Sequence, residues 1–394
     1  MNATSDLDLL ARRSVALPTG TLELTLSEGA EEADDLLGFA ARANAKRGFL
    51  FLSKVLGKHW PVRPSTMIGI HERLAATVPS PDGPVVFIAM AETAIGLGQG
   101  VFEAWLGANP GREALFIHTT RYRVGSGPLI EFEEAHSHAP RQFLHLPQDP
   151  SLHALLLAAR TLVLVDDEAS TGNTFLNLTD ACRRLNPGIE RVHLATITNF
   201  MGAQATAGLS ARFGLPVTMG ALVSGEYRFT PGDYVAPSSP AQRFDPDADR
   251  GASARFGRLG LCAALPAPAA LAARLARAFA PGAKVAVLGT GEFMHAAMLL
   301  GAELERLGLD VRVQSTTRSP ILHWGAVGHV LDFPDNYGEG IANFIYNIAP
   351  GQYDHVLVCH ETTANAALRE LAGQLDARLL HFQSEDHIEE VPVR

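Results

Sequence analysis

The stretch LVLVDDEASTGNTF, Leu162 to Phe175, decides how the chain is read. Its apolar, β-branched start has the composition of a buried parallel strand. After Phe175 the text TFLNLTDACRRLNPG reads as a helix stopped by Asn-Pro-Gly. In a strand–loop–helix unit the loop lies at the carboxyl end of the strand, where open α/β sheets bind ligands. Ala169, Ser170, Thr171, Gly172, Asn173 and Thr174 offer main-chain amides and hydroxyls beside the positive end of the helix, and Gly172 lets the backbone approach closely. Asp166 and Asp167 repel a bare phosphate but accept strong hydrogen bonds from hydroxyl groups. A ligand that satisfies both has an anionic end and a hydroxylated middle, which describes a sugar phosphate. On this reading the two acids stand on a solvent-facing loop at the sheet edge; the plainer alternative is a βα turn with a capping Asp or Ser.

The same alternation extends outward in both directions. TLELTL (21–26), PVVFIAM (84–90), ALFIH (114–118) and RVHLATI (191–197) have strand composition, and TAIGLGQGVFEAWLG has that of a helix. EEADDLLGFAARANAKR reads as a helix with acid at its start and base at its end. The fold class is therefore α/β, with helices around a largely parallel sheet. From Thr230 to Arg258 proline, serine, aspartate and glycine erase any hydrophobic period. The expected organisation is a first domain over 1–230, a linker over 231–258 and a second α/β domain, Rossmann-like, over 259–394. The second domain is carried by KVAVLGTGEF (284–293), a helix through MHAAMLLGAELERLG, then LDVRVQST and DHVLVCHE (354–361).

A chain of 394 residues, 47% hydrophobic and 19% charged, is long enough for two or three cores. Its net charge of −10 gives no support for a nucleic-acid partner. Cys182, Cys262 and Cys359 form no CxxC pair, which fits a reducing cytosol. Charges interrupt every apolar run before it reaches bilayer-spanning length, so a cytoplasmic protein with no membrane association is expected.

LVLVDDEASTGNT resembles the phosphoribosyl-pyrophosphate (PRPP) loop of type I phosphoribosyltransferases. The resemblance implies that Asp166 and Asp167 hold the ribose hydroxyls and that Ala169 to Thr174 hold the 5′-phosphate. It also implies a pyrophosphate loop after an earlier strand and a mobile lid. Ala91, Glu92 and Thr93 stand in the place of the first, although Glu92 is an odd neighbour for an anion unless Mg²⁺ or a base lies between, and a plain helix cap is the alternative. His118 to Gln142 is the expected lid, with Arg121 and Arg123 toward the leaving diphosphate and Glu133, Glu134, His136 and His138 toward a base or metal. The His-x-His spacing alone also suits a solvated loop. Lys46, Arg47, Lys54, Lys58 and His59 line either an anion-binding wall or a solvated face.

VQSTTRSPI (313–321) is similar to the string that names the TRSP domain, found behind a phosphoribosyltransferase branch linked to stress and tellurite resistance. RANAKRGFLFLSKVLGKH, HTTRYR and EEAHSHA resemble the same branch. The implied activity is transfer of 5-phosphoribosyl from PRPP, with Mg²⁺ held mainly by substrate oxygens, to an unidentified small-molecule acceptor. A PRPP-sensing regulator is the alternative, and such sheets often pair into homodimers in the resembling family. In the second domain Gly289 and Gly291 form a weak phosphate turn, while Thr317, Arg318 and Ser319 either clamp an anion or surround a structural arginine.

Overall fold

A computed structural model describes residues 11–42, 47–133, 141–234 and 250–393. Across the first sheet the strands run Ala11–Leu17, Gly20–Glu28, Val217–Pro231, Arg191–Asn199, Thr161–Ala169, Val85–Ala89 and Ala114–His118. The last five are parallel, and the leading hairpin joins the Val217–Pro231 edge antiparallel. The sheet is thus mixed. Numbered in chain order from the Ala114–His118 edge, its parallel strands lie 2-1-3-4-5, which puts the topological switch between Val85–Ala89 and Thr161–Ala169. Val85, Phe87, Val163 and Val165 enter one core, while Val86, Ile88, Leu162 and Leu164 enter another. Burial on both faces explains why these strands read as unbroken apolar runs.

The second sheet runs Asp310–Ser315, Lys284–Gly289, His355–His360, Ala377–Phe382 and Ile388–Val391. All but the last are parallel, and the order is again 2-1-3-4-5, with its switch between Lys284–Gly289 and His355–His360. The molecule is therefore α/β with a mixed, mainly parallel sheet in front and a mostly parallel sheet behind. No described helix is long and apolar enough to cross a membrane.

One expectation changes. Among the described residues of EEADDLLGFAARANAKR, helix is found only at Ala33–Leu36; Leu37–Ala41 then forms a hairpin strand with Phe49–Ser53. Tertiary packing overrides the charge pattern: Phe39 meets Phe51 edge-on and the Phe49–Ser53 strand is buried throughout. Lys46 lies outside the described residues. Within the expected lid, His118, Thr119 and Thr120 are buried and Leu129–Glu133 pairs with Arg141–His145. Glu134, His136 and His138 lie outside the described residues.

The two halves interlock through main chain as well as side chains. Val62 extends the edge of the second sheet by pairing with Val313 (3.0 and 2.7 Å), and further bridges join Arg42 to Ile321 and Phe116 to Leu261. Near the end of the expected linker, Phe256 and Arg258 are buried.

Candidate active site

Both loops that flank the first switch point converge on one edge of the sheet. Met90 donates to the Val165 carbonyl (3.0 Å), tying the turn after Val85–Ala89 to the strand that carries the acids. That strand continues through Asp166 and Asp167, with Asp166 opposite Thr196, so the acids sit half-buried in the ladder and not on an exposed loop as expected. The Thr198 register keeps the pairing going past them and fixes their direction. Asp166 accepts the Asp167 amide (2.9 Å). Burial pushes the Asp167 carboxyl up, opposed by the Asp166 contact and by the charges of Arg47 and Arg42. Burial also raises the neighbouring Glu168 carboxyl, although Arg47 Nη2 grips both its oxygens at 2.6 and 2.8 Å.

The turn that follows is shaped by a glycine. Gly172 caps the helix Asn173–Leu185 with φ of +70°, a conformation that strains any side-chain-bearing residue. The first amides of that helix have no acceptor within it. Arg212 braces the turn by donating to the Thr171 carbonyl (2.5 Å) and to Asn173 Oδ1. Ser170 is half-buried and Thr171 exposed.

On the other side of the switch, Ala91–Thr93 is held at several points. Thr119 Oγ1 accepts the Ala91 amide (2.7 Å), and Gln142 Nε2 donates to the Ala91 carbonyl (3.1 Å). Glu92 is buried, with Lys58 Nζ 2.6 Å and Arg318 Nε 3.1 Å from its carboxylate. These are the bases that an acid in such a loop requires. Burial alone would raise the Glu92 carboxyl, yet Lys58, Arg318 and Arg121 outweigh it and bring it down to about 2. Burial lowers the Lys58 ammonium, opposed by the charge of Glu92 beside it.

The switch point of the second sheet carries a cation from within the chain. Arg258 lies between Glu292, in the turn after Lys284–Gly289, and Glu361, after His355–His360, at 3.0 and 2.6 Å. Glu292 also accepts Thr120 Oγ1 (2.6 Å) and the Arg121 amide (2.8 Å) from the first domain. The crevice where such a sheet ordinarily takes a ligand is thus filled by a guanidinium.

Of the residues singled out in the sequence, Asp166, Asp167 and Ala169–Thr174 share one strand–turn–helix, and Ala91–Thr93 lies across the switch from them. Arg121 joins the charges around Glu92, while Arg123 lies over the Phe143 ring (5.0 Å) and 3.8 Å from Glu131. Arg318 meets Glu92 and Glu339, Ser319 Oγ accepts from Arg42 Nη2 (2.7 Å), and Thr317 exchanges main-chain bonds with Phe344. Gly289 is required by the Phe293 carbonyl, 2.2 Å from where a Cβ would stand. Arg42, Arg212 and Arg258 escaped notice, because nothing local marks an arginine whose partners lie tens to hundreds of residues away. Among the described residues, no three His, Cys, Asp or Glu converge on a metal position.

Residues 36–226 match the family model described as "Phosphoribosyl transferase", and residues 253–376 match the one described as "TRSP domain C terminus to PRTase_2". Solved structures similar to this chain include adenine phosphoribosyltransferase from Rhodothermus marinus, 15% identical over 50% of this chain and 98% of that one (TM-score 0.31). The Giardia lamblia enzyme is 16% identical over 49% and 97% (TM-score 0.32), and the Trypanosoma brucei enzyme 14% over 48% and 78% (TM-score 0.32). Comparison with curated proteins gives no match. The chain therefore carries a phosphoribosyltransferase-family domain followed by a TRSP domain.

Proposed function

We propose that this protein transfers the 5-phosphoribosyl group of PRPP to a nitrogenous small-molecule acceptor and releases pyrophosphate. The observation that carries the reading is one switch point flanked by an acid pair with an amide-lined turn on one side and a second buried turn on the other. Asp166 and Asp167 orient the ribose hydroxyls, residues 169–174 receive the 5′-phosphate, and Ala91–Thr93 faces the diphosphate. As the leaving group departs, positive charge develops at the anomeric carbon, so catalysis rests on positioning and on charge stabilisation. The donors at the site are all oxygen, which suits a hard ion such as Mg²⁺, with Asp166 and Asp167 as its protein contacts and the substrate supplying the rest. Mg²⁺ would neutralise charge building on the diphosphate. The setting in stress or tellurite resistance belongs to the same proposal and rests on the resemblance of VQSTTRSPI (313–321) and of the first-domain strings to that branch.

The test is pyrophosphate release from PRPP and Mg²⁺ over a panel of nitrogenous acceptors. Asp166→Asn with Asp167→Asn should lower kcat/KM by about a hundredfold or more, since two charge-assisted contacts to the reacting sugar are weakened, while the melting profile is kept. Undiminished turnover in the double variant would count against the assignment. PRPP binding without release from any acceptor favours a PRPP-sensing regulator.

A further inference from the structure

We propose that Arg318, in the second domain, is a positioning residue for the first domain's Ala91–Thr93 turn, holding it through Glu92 for the diphosphate end of PRPP. The inference rests on the phosphoribosyl reading above and adds a role for the second domain in it.

The turn is anchored from two directions. Its own domain fixes Ala91, through Thr119 on the amide and Gln142 on the carbonyl. One residue on, the Glu92 carboxylate is held by Lys58 and Arg318. Lys58 itself is oriented by the second domain, donating to the Gly291 carbonyl at 2.9 Å. Arg318 has little freedom to follow the turn if it moves. Glu339 pairs with its Nη1, the Tyr122 ring lies 5.9 Å from its guanidinium carbon, and the preceding Thr317 is locked to Phe344 by bonds of 3.0 and 2.7 Å. Glu339 in turn sits in a loop that Asp335 closes by accepting the amides of Tyr337, Glu339 and Ile341 at 2.7, 3.1 and 3.2 Å. The rigid side of the contact is therefore the TRSP domain.

Charge gives the same direction. A glutamate in an anion-facing turn repels its ligand unless it is neutralised, and here two buried cations, Lys58 and Arg318, stand against the Glu92 carboxylate. The Arg318 guanidinium stays protonated and presents a planar fork to both Glu92 and Glu339. Removing the guanidinium takes one of the two cations from Glu92 and loosens the turn.

The experiment compares two ligands on the full-length protein by calorimetry: Mg²⁺-pyrophosphate, which needs this turn, and ribose 5-phosphate, which needs the acid pair and the 169–174 turn. In Arg318→Ala the pyrophosphate Kd should rise about tenfold or more, because displacement of a positioning group by an ångström is costly, while ribose 5-phosphate binding stays unchanged. Arg318→Lys should recover part of the loss. Unaltered pyrophosphate binding in Arg318→Ala overturns the proposal, and so does parallel weakening of both ligands, which marks a purely structural arginine. If Arg318→Ala does not fold, Glu92→Gln is compared in the same way, with equal outcomes required. Failure of the unaltered protein to bind ribose 5-phosphate overturns the phosphoribosyl reading itself; binding of ribose 5-phosphate without pyrophosphate overturns this inference alone.

Discussion

Replacing Arg258 by methionine tests whether the two domains are held by buried charge. The guanidinium is 1% exposed and the Glu292 and Glu361 side chains are 0% exposed. It donates to Glu292 from Nε (3.2 Å) and Nη2 (3.0 Å), to Glu361 from Nη1 (2.6 Å) and Nη2 (2.7 Å), and to the Ser253 carbonyl (2.8 Å). Methionine fills most of the volume but leaves two carboxylates facing one another out of water. Each retains some donors: Thr120 and the Arg121 amide for Glu292, Tyr337 and the Ser253 amide for Glu361. The expected cost is the loss of one partner from a buried ionic group, about 3–5 kcal/mol. It is read as a lower denaturant midpoint at unchanged slope, so that compactness of the unfolded chain is not the cause.

The sign of the pH effect follows from Glu292. In the unaltered protein burial would raise this carboxyl, but Arg258 and His118 outweigh it and hold it below its ordinary value of 4.5. Its contribution is thus present above that value and lost as the pH falls through the depressed pKa. Without Arg258 burial prevails and the folded pKa rises, so the variant gains relative stability as the pH falls and its deficit narrows. Neutralising the whole triad, Arg258→Met with Glu292→Gln and Glu361→Gln, should regain most of the loss, because no charge is left unpaired. A change below about 1 kcal/mol in Arg258→Met, or a triple variant no more stable than the single one, would refute the reasoning.

Glu92 sets an acid limit of its own. With the folded carboxyl near 2 against an ordinary 4.5, its stabilisation is complete above the ordinary value and lost as the pH falls toward 2. Thermal melts should therefore show the gap between the unaltered protein and Glu92→Gln closing across that window; a constant gap contradicts the ion pairs. Gly98 lies on the helix Ile95–Ala108 where an added Cβ would stand 2.4 Å from the Ala89 Cβ and 3.3 Å from the Val165 Cβ. Gly98→Ala should destabilise by about 1–3 kcal/mol in denaturant titrations, overpacking outweighing the gain in helix propensity, and a more stable variant would show that helix and sheet separate freely. The Asp166/Asp167 and Arg318 variants supply the functional counterparts of these stability measurements.

How much was legible in advance depended on how local each signal was. The strand Thr161–Ala169 and the helix after it are specified within their own residues: a β-branched apolar run, a glycine that accepts positive φ and an Asn-Pro-Gly stop. Acids next to an apolar strand end gave no hint that the ladder would continue through them, since that depends on Thr196 and Thr198 of a neighbouring strand. Leu37–Ala41 was misread as helix because its pairing with Phe49–Ser53, and the aromatic contacts that favour it, are absent from any short window.

The sequence by itself determined the alternation of strand and helix, the two α/β halves and the turn that resembles a PRPP loop, because periodicity, glycine and small hydroxylated side chains act over a few residues. Only the tertiary structure decided that Glu92 is answered by Lys58 and Arg318, that Arg42 meets Ser319, and that Arg258 occupies the second sheet's crevice. The physical reason is that buried charge must be neutralised by whatever opposite charge folding brings near, and here such partners are separated by as many as 226 positions in the chain.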